Sequence, residues 1–176
     1  MKLLLIFIFS LVFFPLNTTE KIVWQENQKL TWEDFRGKPI RSANFVASTN
    51  SGISFQYSYS INNGKIKVDY SVESFFNPES SWFLPGKVDA HILGHEQAHF
   101  DISEIHARML RKNLAAKKFS TKIKSEIEGI YQKVEQSRRA MQTKFDAETD
   151  HSRNKEKEAF WQKYIAQQLA EHEAWK

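Results

Sequence analysis

The alternation of apolar and polar residues over positions 53–72 predicts a β-hairpin. Apolar side chains fall on odd positions over 53–61 and on even positions over 66–72. A period of two is typical of a half-buried strand. Between the two runs, Asn62, Asn63 and Gly64 tolerate positive φ and supply the turn. We therefore expect a small antiparallel sheet within about residues 43–76.

Beyond a turn-rich segment, the spacing of apolar residues lengthens to that of helices. The first helix is predicted over about residues 88–119. Ser120 or Thr121 can cap a second helix, in which the apolar residues of 123–145 step by three, four or seven positions. The segment 146–154 breaks that pattern, and a third helix carries an apolar stripe over 160–169. A small antiparallel sheet followed by three long helices is an α+β fold.

The N-terminal residues have the shape of a signal peptide. A single lysine precedes an apolar run over 3–14, which is shorter than the roughly 20 residues of a membrane span and suits the roughly 7–15 of a secretory signal. We predict a signal peptide over 1–19 and a secreted or periplasmic protein without stable membrane insertion. An uncleaved N-terminal membrane anchor is the alternative. The chain has no cysteine, so disulfides and a lipidated cysteine are excluded.

Length and charge narrow the classes of protein further. A chain of 176 residues with 41% apolar content holds one sizeable core, and we expect a single domain over 20–176. Its 25 basic and 21 acidic residues give a net charge of +4. The two signs interleave along the C-terminal half, which argues against nucleic acid as the main partner.

The segment HEQAH, residues 95–99, carries the most specific chemistry. His95 and His99 lie one turn apart on one face of a helix, so both imidazoles can bind one ion. A catalytic zinc takes three protein ligands and leaves the fourth position to water. Glu96 can reach that water as general base. The spacing therefore predicts a Zn²⁺ site with Glu96 as the catalytic residue.

Neighbouring polar residues do not complete this site within the same helix. His106 returns to the histidine face but sits roughly 10 Å beyond His99 along the axis. The longer motif HExxHxxGxxH is excluded, because isoleucines occupy its glycine and last histidine positions, 102 and 105. The other polar side chains have other predicted roles: His91 at the helix surface, Asp101 at most behind the ligands or at a cap, and Glu104 in a weak i, i+4 ion pair with Arg108.

An antiparallel return of the second helix brings a later segment to the histidines. From His99 to Phe119 the first helix spans about 30 Å, and an equal distance back reaches Met141. Residues 145–152 are thereby delivered to the metal. Helix geometry alone does not choose among the four candidate ligands in that segment, which are Asp146, Glu148, Asp150 and His151.

Several motifs stand in a characteristic order: KLTWEDFRGKP at 29–39, SW at 81–82, HEQAHFDISEIHAR at 95–108, and FDAETDHS at 145–152 followed by Trp161. Together they resemble the domain of unknown function 922 family, bacterial exported proteins regarded as predicted zinc-dependent proteases. A recurrent T-x-H element of that family points to Thr149 and His151. The resemblance thus implies His151 as the third ligand, with Asp146 next. Ser152 departs from the glycine usual there.

These observations favour an exported zinc metallopeptidase of the HExxH type with a zincin-like fold. Its peptide or protein substrate would lie along an edge strand by β-augmentation. Arg153 and Tyr131 are candidates for stabilising the oxyanion. The alternatives are a non-catalytic exported binding protein with a structural or vestigial metal site, and a metal-free helical scaffold. Aromatic residues of the N-terminal half are predicted to pack in the core and not to bind substrate: Trp24, Trp32, Phe35 and Trp82.

Overall fold

The computed structural model describes residues 20–176, and the predicted signal peptide, residues 1–19, lies outside the described residues. A small sheet region precedes three helices, which confirms the predicted α+β fold. The elements are β1 (Ile22–Val23), β2 (Ala47–Ser48), β3 (Ser51–Asn62), β4 (Lys65–Phe76), β5 (Trp82–Phe83), α1 (Ala90–Ala116), α2 (Ile123–Thr149) and α3 (Lys155–Glu171).

The predicted hairpin is the pair β3 and β4, in register from Ser51 opposite Phe76 to Asn62 opposite Lys65. Its turn residues Asn63 and Gly64 have φ of 49° and 77°, as a tight hairpin turn requires. β1 adds to the outer edge of β4, and β2 and β5 form a separate two-stranded sheet. β1 and β5 fall outside the expected range of 43–76, because two-residue strands are too short to show a period of two.

The helices follow the predicted order with different boundaries. Asp89 caps α1, since its side chain accepts a hydrogen bond from the Ile92 N–H. The prediction that the helical pattern ends before Asp146 was wrong, because α2 continues to Thr149. The last turn of α2 is anchored by Phe145, which is fully buried, and by the Thr149 hydroxyl, which donates to the Phe145 carbonyl oxygen at 2.7 Å. Asp146 is therefore a helical residue.

Helix α1 lies at the centre of the molecule and contacts both the hairpin and the other two helices. Its C-terminal half packs with α2 against the hairpin through an apolar cluster that includes Leu110 and Ile127. Its N-terminal half packs against α2 and α3 around Phe145 and Trp161. No helix within residues 20–176 combines the length and apolarity needed to cross a membrane.

The aromatic residues of the N-terminal half pack in the core, as predicted. Trp24 and Phe35 are buried with Phe76 and Phe100, and Trp32 covers the edge of that cluster. Trp82 is 5% exposed and stacks on Phe45 at 5.6 Å between ring centroids.

The predicted i, i+4 ion pair between Glu104 and Arg108 is present, with 3.0 Å between Oε1 and Nε, but it is not the weak pair expected of an isolated helix. Both side chains are buried, and Arg108 is 1% exposed. β4 and the C-terminal residues cover them: the Ser74 hydroxyl donates to Glu104 Oε2 at 2.6 Å, and Arg108 donates to the Leu169 carbonyl oxygen at 2.6 Å. The periodicity of one helix does not show that residues of other elements bury a pair of its side chains.

Candidate metal centre

Helices α1 and α2 bring three metal-ligating side chains to one point. Asp146 Oδ1 lies 3.2 Å from His95 Nε2 and 2.9 Å from His99 Nε2. The ligand atoms of all three residues lie within 4.8 Å of one another, so the cluster could hold a metal ion. The antiparallel return of α2 therefore delivers residue 146 to the histidines, as the helix lengths predicted.

The charges of the cluster favour a cation. Burial disfavours the charged form of His95, but hydrogen bonds with Asp146 and Glu158 outweigh burial and raise the pKa of this histidine to about 9. Burial also opposes ionisation of Asp146, yet hydrogen bonds from His95 and His99 hold the pKa of its carboxyl well below the usual range. In the protein without a metal, a proton on His95 thus supplies the positive charge that an ion would supply instead.

The ring of His95 is held from two further sides. Its Nδ1 lies 3.0 Å from Glu158 Oε2 on α3, and its face stacks on Phe145 at 4.4 Å between centroids. His99 meets the same phenylalanine edge-on at 5.2 Å. The sequence did not reveal Glu158, because it lies 63 positions from His95 in a third element and its neighbours form no ligand motif.

Glu96 lies beside the cluster with an unpaired oxygen. The residue is 4% exposed, and its Oε2 is buried without a hydrogen-bond partner among the described residues. The Thr49 hydroxyl donates to the Glu96 carbonyl oxygen at 3.2 Å and so ties this turn of α1 to the segment after β2. Buried polar groups are normally paired, so this unpaired carboxylate oxygen sets Glu96 apart from the other buried polar residues of α1.

A cavity of about 380 Å³ opens over the three residues of the cluster and Glu96. The segment 45–49, which includes β2, forms one wall, and the end of α2 forms the opposite wall. Sequence reasoning missed three polar side chains of that second wall, which precede Asp146 in α2: Arg139, Gln142 and Thr143.

His151 lies at the cavity but outside the cluster of three. Its Nδ1 is 3.7 Å from Asp146 Oδ1, with 35% of the side chain exposed, and its ring packs on Phe45 at 5.3 Å between centroids. It belongs to a left-handed turn after α2 in which Asp150, His151 and Ser152 have φ of 50°, 49° and 69°. That His151 is a ligand stays a prediction, and Asp146 is the third member of the observed cluster.

The two remaining candidate ligands are engaged elsewhere. Glu148 Oε2 accepts a hydrogen bond from Trp161 Nε1 at 2.8 Å. Asp150 is exposed and accepts two hydrogen bonds from Arg153. Neither belongs to the cluster.

Other polar residues of α1 have structural contacts. His106 Nδ1 lies 2.8 Å from the Ile102 carbonyl oxygen, away from the cluster. Asp101 accepts from Trp24 Nε1 at 2.7 Å. His91, predicted at the helix surface, is half-buried, and its Nε2 lies 2.8 Å from the Ser152 carbonyl oxygen, because the turn after α2 folds over the start of α1.

The two candidates for the oxyanion do not line the cavity. Tyr131 stacks on Phe55 at 5.5 Å, within the apolar cluster under the hairpin. Arg153 pairs with Asp150 in the turn after α2. The antiparallel geometry places residue 131 well before the ligand at 146, which excludes Tyr131 from the site.

A comparison with known proteins finds a family model that matches part of the chain. Residues 79–152 match a family model described as "Bacterial protein of unknown function (DUF922)". The resemblance to DUF922 is confirmed. The matched segment contains β5, α1 and α2, and therefore every residue of the cluster, whereas α3 follows it. The DUF922 description assigns no activity. No curated protein and no solved structure matches the chain.

Proposed function

We propose that this protein, part of which matches the DUF922 model, is an exported zinc-dependent metallopeptidase, in which His95, His99 and Asp146 bind zinc and Glu96 is the general base. The observation that carries the proposal is the unpaired, buried Glu96 Oε2 beside two imidazoles and a carboxylate at a cavity. Two histidines and one carboxylate are a donor set that catalytic zinc uses. The secreted or periplasmic location and the zincin-like fold belong to the same proposal.

The residues of the chain divide the hydrolysis of a peptide bond between them. When bound, zinc supplies Lewis-acid polarisation of a carbonyl group and lowers the pKa of water toward about 7. The Glu96 carboxylate accepts a proton from the water that attacks the carbonyl carbon. It then gives this proton to the amide nitrogen as the carbon–nitrogen bond breaks, so that an acid and an amine leave the site.

The wall formed by β2 supports an extended peptide as the substrate. The Val46 carbonyl oxygen accepts from the Leu84 N–H at 2.7 Å, and Ala47 stands opposite Phe83. Because antiparallel pairing alternates, the N–H and C=O of Ala47 point away from β5. β5 is the only strand paired with β2 among those of residues 20–176. A peptide that added to this edge would run along the cavity.

The test is the Glu96→Gln variant, assayed with a library of unstructured fluorogenic peptides and by zinc analysis. We expect hydrolysis to fall by about 10²–10⁴-fold, while the zinc content stays that of the wild type, because Glu96 is not a ligand. Glu128→Gln, the same change at an exposed position of α2, is the matched control and should leave both unchanged. Hydrolysis that survives Glu96→Gln would refute this mechanism.

One observation favours the alternative of a non-catalytic exported binding protein. His151 Nδ1 lies 3.7 Å from Asp146 Oδ1, so a small movement of the turn would make it a fourth protein ligand. A closed site of four protein ligands is typical of structural zinc. X-ray absorption spectroscopy of the zinc-loaded protein distinguishes the two: three protein ligands and a water support the peptidase, and four protein ligands support the alternative.

A further inference from the structure

Glu158 is a buried carboxylate behind the metal centre, on the side of His95 that faces away from Asp146. It is 1% exposed, and its Oε2 lies 3.0 Å from His95 Nδ1. Its other oxygen, Oε1, is buried and has no hydrogen-bond partner within the described part of the chain. Because an ionised carboxylate can only accept, this contact requires a hydrogen on Nδ1.

The third helix holds Glu158 in place. Glu158 lies in the first turn of α3, where the helix dipole favours a negative charge. α3 approaches α1 closely at the residue before His95, since a Cβ on Gly94 would lie 3.3 Å from Gln162 Nε2. Trp161 packs edge-on against Phe145 at 5.5 Å between centroids. The carboxylate therefore has little freedom to turn away from the imidazole.

The two histidines of the metal centre differ in how many of their ring nitrogens are hydrogen-bonded. Both ring nitrogens of His95 are hydrogen-bonded. Within residues 20–176, the His99 ring has one hydrogen bond, between its Nε2 and Asp146. A partner on the second nitrogen of a ligating histidine fixes its tautomer and raises its basicity. Glu158 is such a partner for His95, and it lies on α3, beyond the segment that matches DUF922.

We propose that Glu158 is a positioning residue for His95, which accepts the Nδ1 hydrogen and thereby presents the Nε2 lone pair to the metal. The proposal rests on the metal site of the proposed function, but not on peptidase activity. It assigns to Glu158 neither contact with substrate nor contact with the ion. Its consequence is that zinc affinity depends on a residue that never touches zinc.

The first experiment compares zinc affinities by competition with a chromophoric chelator. Glu158→Gln keeps the shape of the side chain and removes its charge, and we expect zinc to bind about 10–100-fold more weakly at unchanged stoichiometry. Glu156→Gln is the matched control, because the same change occurs two residues earlier at an exposed position of α3. It should bind zinc like the wild type. Equal affinities for Glu158→Gln and the wild type would overturn the proposal.

The second experiment observes the Nδ1 hydrogen of His95 directly by NMR. A hydrogen bond to a carboxylate predicts a downfield, exchange-protected resonance in the wild type and in Glu156→Gln, which shifts upfield in Glu158→Gln. A side chain that serves packing alone would not move this signal. Absence of the resonance from the wild type overturns the proposal even if Glu158→Gln fails to fold, and so does a resonance that the variant leaves in place.

The two experiments separate this proposal from the proposed function. A wild type that binds no zinc would refute the metallopeptidase, while the NMR signal would still decide whether Glu158 holds His95. Zinc binding without any peptide hydrolysis would refute the peptidase and leave the affinity comparison intact.

Discussion

Helix α1 carries two buried charged clusters that differ in how completely they are paired. In the first, Glu104 uses both oxygens: Oε2 accepts from Ser74, and Oε1 accepts from Arg108 and Arg111. In the second, around His95 and His99, the carboxylates of Glu96 and Glu158 each leave one buried oxygen without a partner among residues 20–176. Only the second cluster opens onto the cavity over the histidines.

This difference distinguishes buried charges that are fully paired from buried charges that keep one oxygen unpaired. A buried polar atom without a partner costs about 1–3 kcal/mol, so two such atoms at one site are unfavourable for folding alone. In the paired cluster, by contrast, the charges hold α1 to β4 and to the C-terminal residues. The unpaired oxygens, more than the histidines themselves, distinguish the end of α1 proposed to be functional from the middle of the helix.

The largest expected effect breaks the paired cluster. Arg108→Met removes one cation of a buried cluster and leaves Arg111 as the remaining positive partner of Glu104, so the free energy of unfolding should fall by about 3 kcal/mol, the lower end of the loss for a broken buried pair, in urea denaturation. Arg153→Met, at an exposed pair with Asp150, is the control and should leave the free energy of unfolding close to that of the wild type. Similar losses for the two variants would mean that burial does not distinguish these pairs.

The next effect tests which residues around His95 and His99 bind zinc. Asp146→Asn should weaken zinc binding by at least about tenfold, or ~1.4 kcal/mol, because it removes the carboxylate that both histidines contact. His151→Ala should weaken it less, since the His151 ring lies outside the cluster of three. The measurement is chelator competition at constant pH. The reverse order would make His151 the third ligand, as the family resemblance implies, and Asp146 its neighbour.

The smallest expected effect is the number of protons released when zinc binds. The pKa of His95 is raised to about 9 without a metal, so zinc binding at pH 7 must displace about one proton from this ring. Near pH 9 the ring is already about half deprotonated, and the release should fall accordingly. Calorimetric titration in two buffers of different ionisation enthalpy measures the release. A release that does not change between pH 7 and pH 9 would contradict the raised pKa.

The local sequence pattern was enough to predict the hairpin and the two histidines of the candidate metal site. The period of two over 53–72 predicts β3 and β4, since each strand has one face against the helices. The spacing of His95 and His99 places both on one face of α1. Helix lengths alone then bring the end of α2 to them, because two antiparallel helices of similar length must end side by side.

Residues whose role depends on tertiary packing escaped prediction. Asp146 was expected after the end of α2 and lies within it, because burial of Phe145 and Thr149 outweighs the polar composition of the segment. Glu158 carries no local signal, since its contact with His95 depends on how α3 packs across α1. β2 has two residues, and no local pattern predicts its pairing with β5.

The third helix begins after the recognisable family segment ends, and it nevertheless supplies Glu158 and Trp161. A fragment cut at residue 152 would keep the whole HEQAH motif and Asp146, but it would expose Phe145 to water and leave the His95 ring without its anchor. The stretch by which relatives are recognised is thus shorter than the stretch that must be expressed for the histidines to keep their orientation.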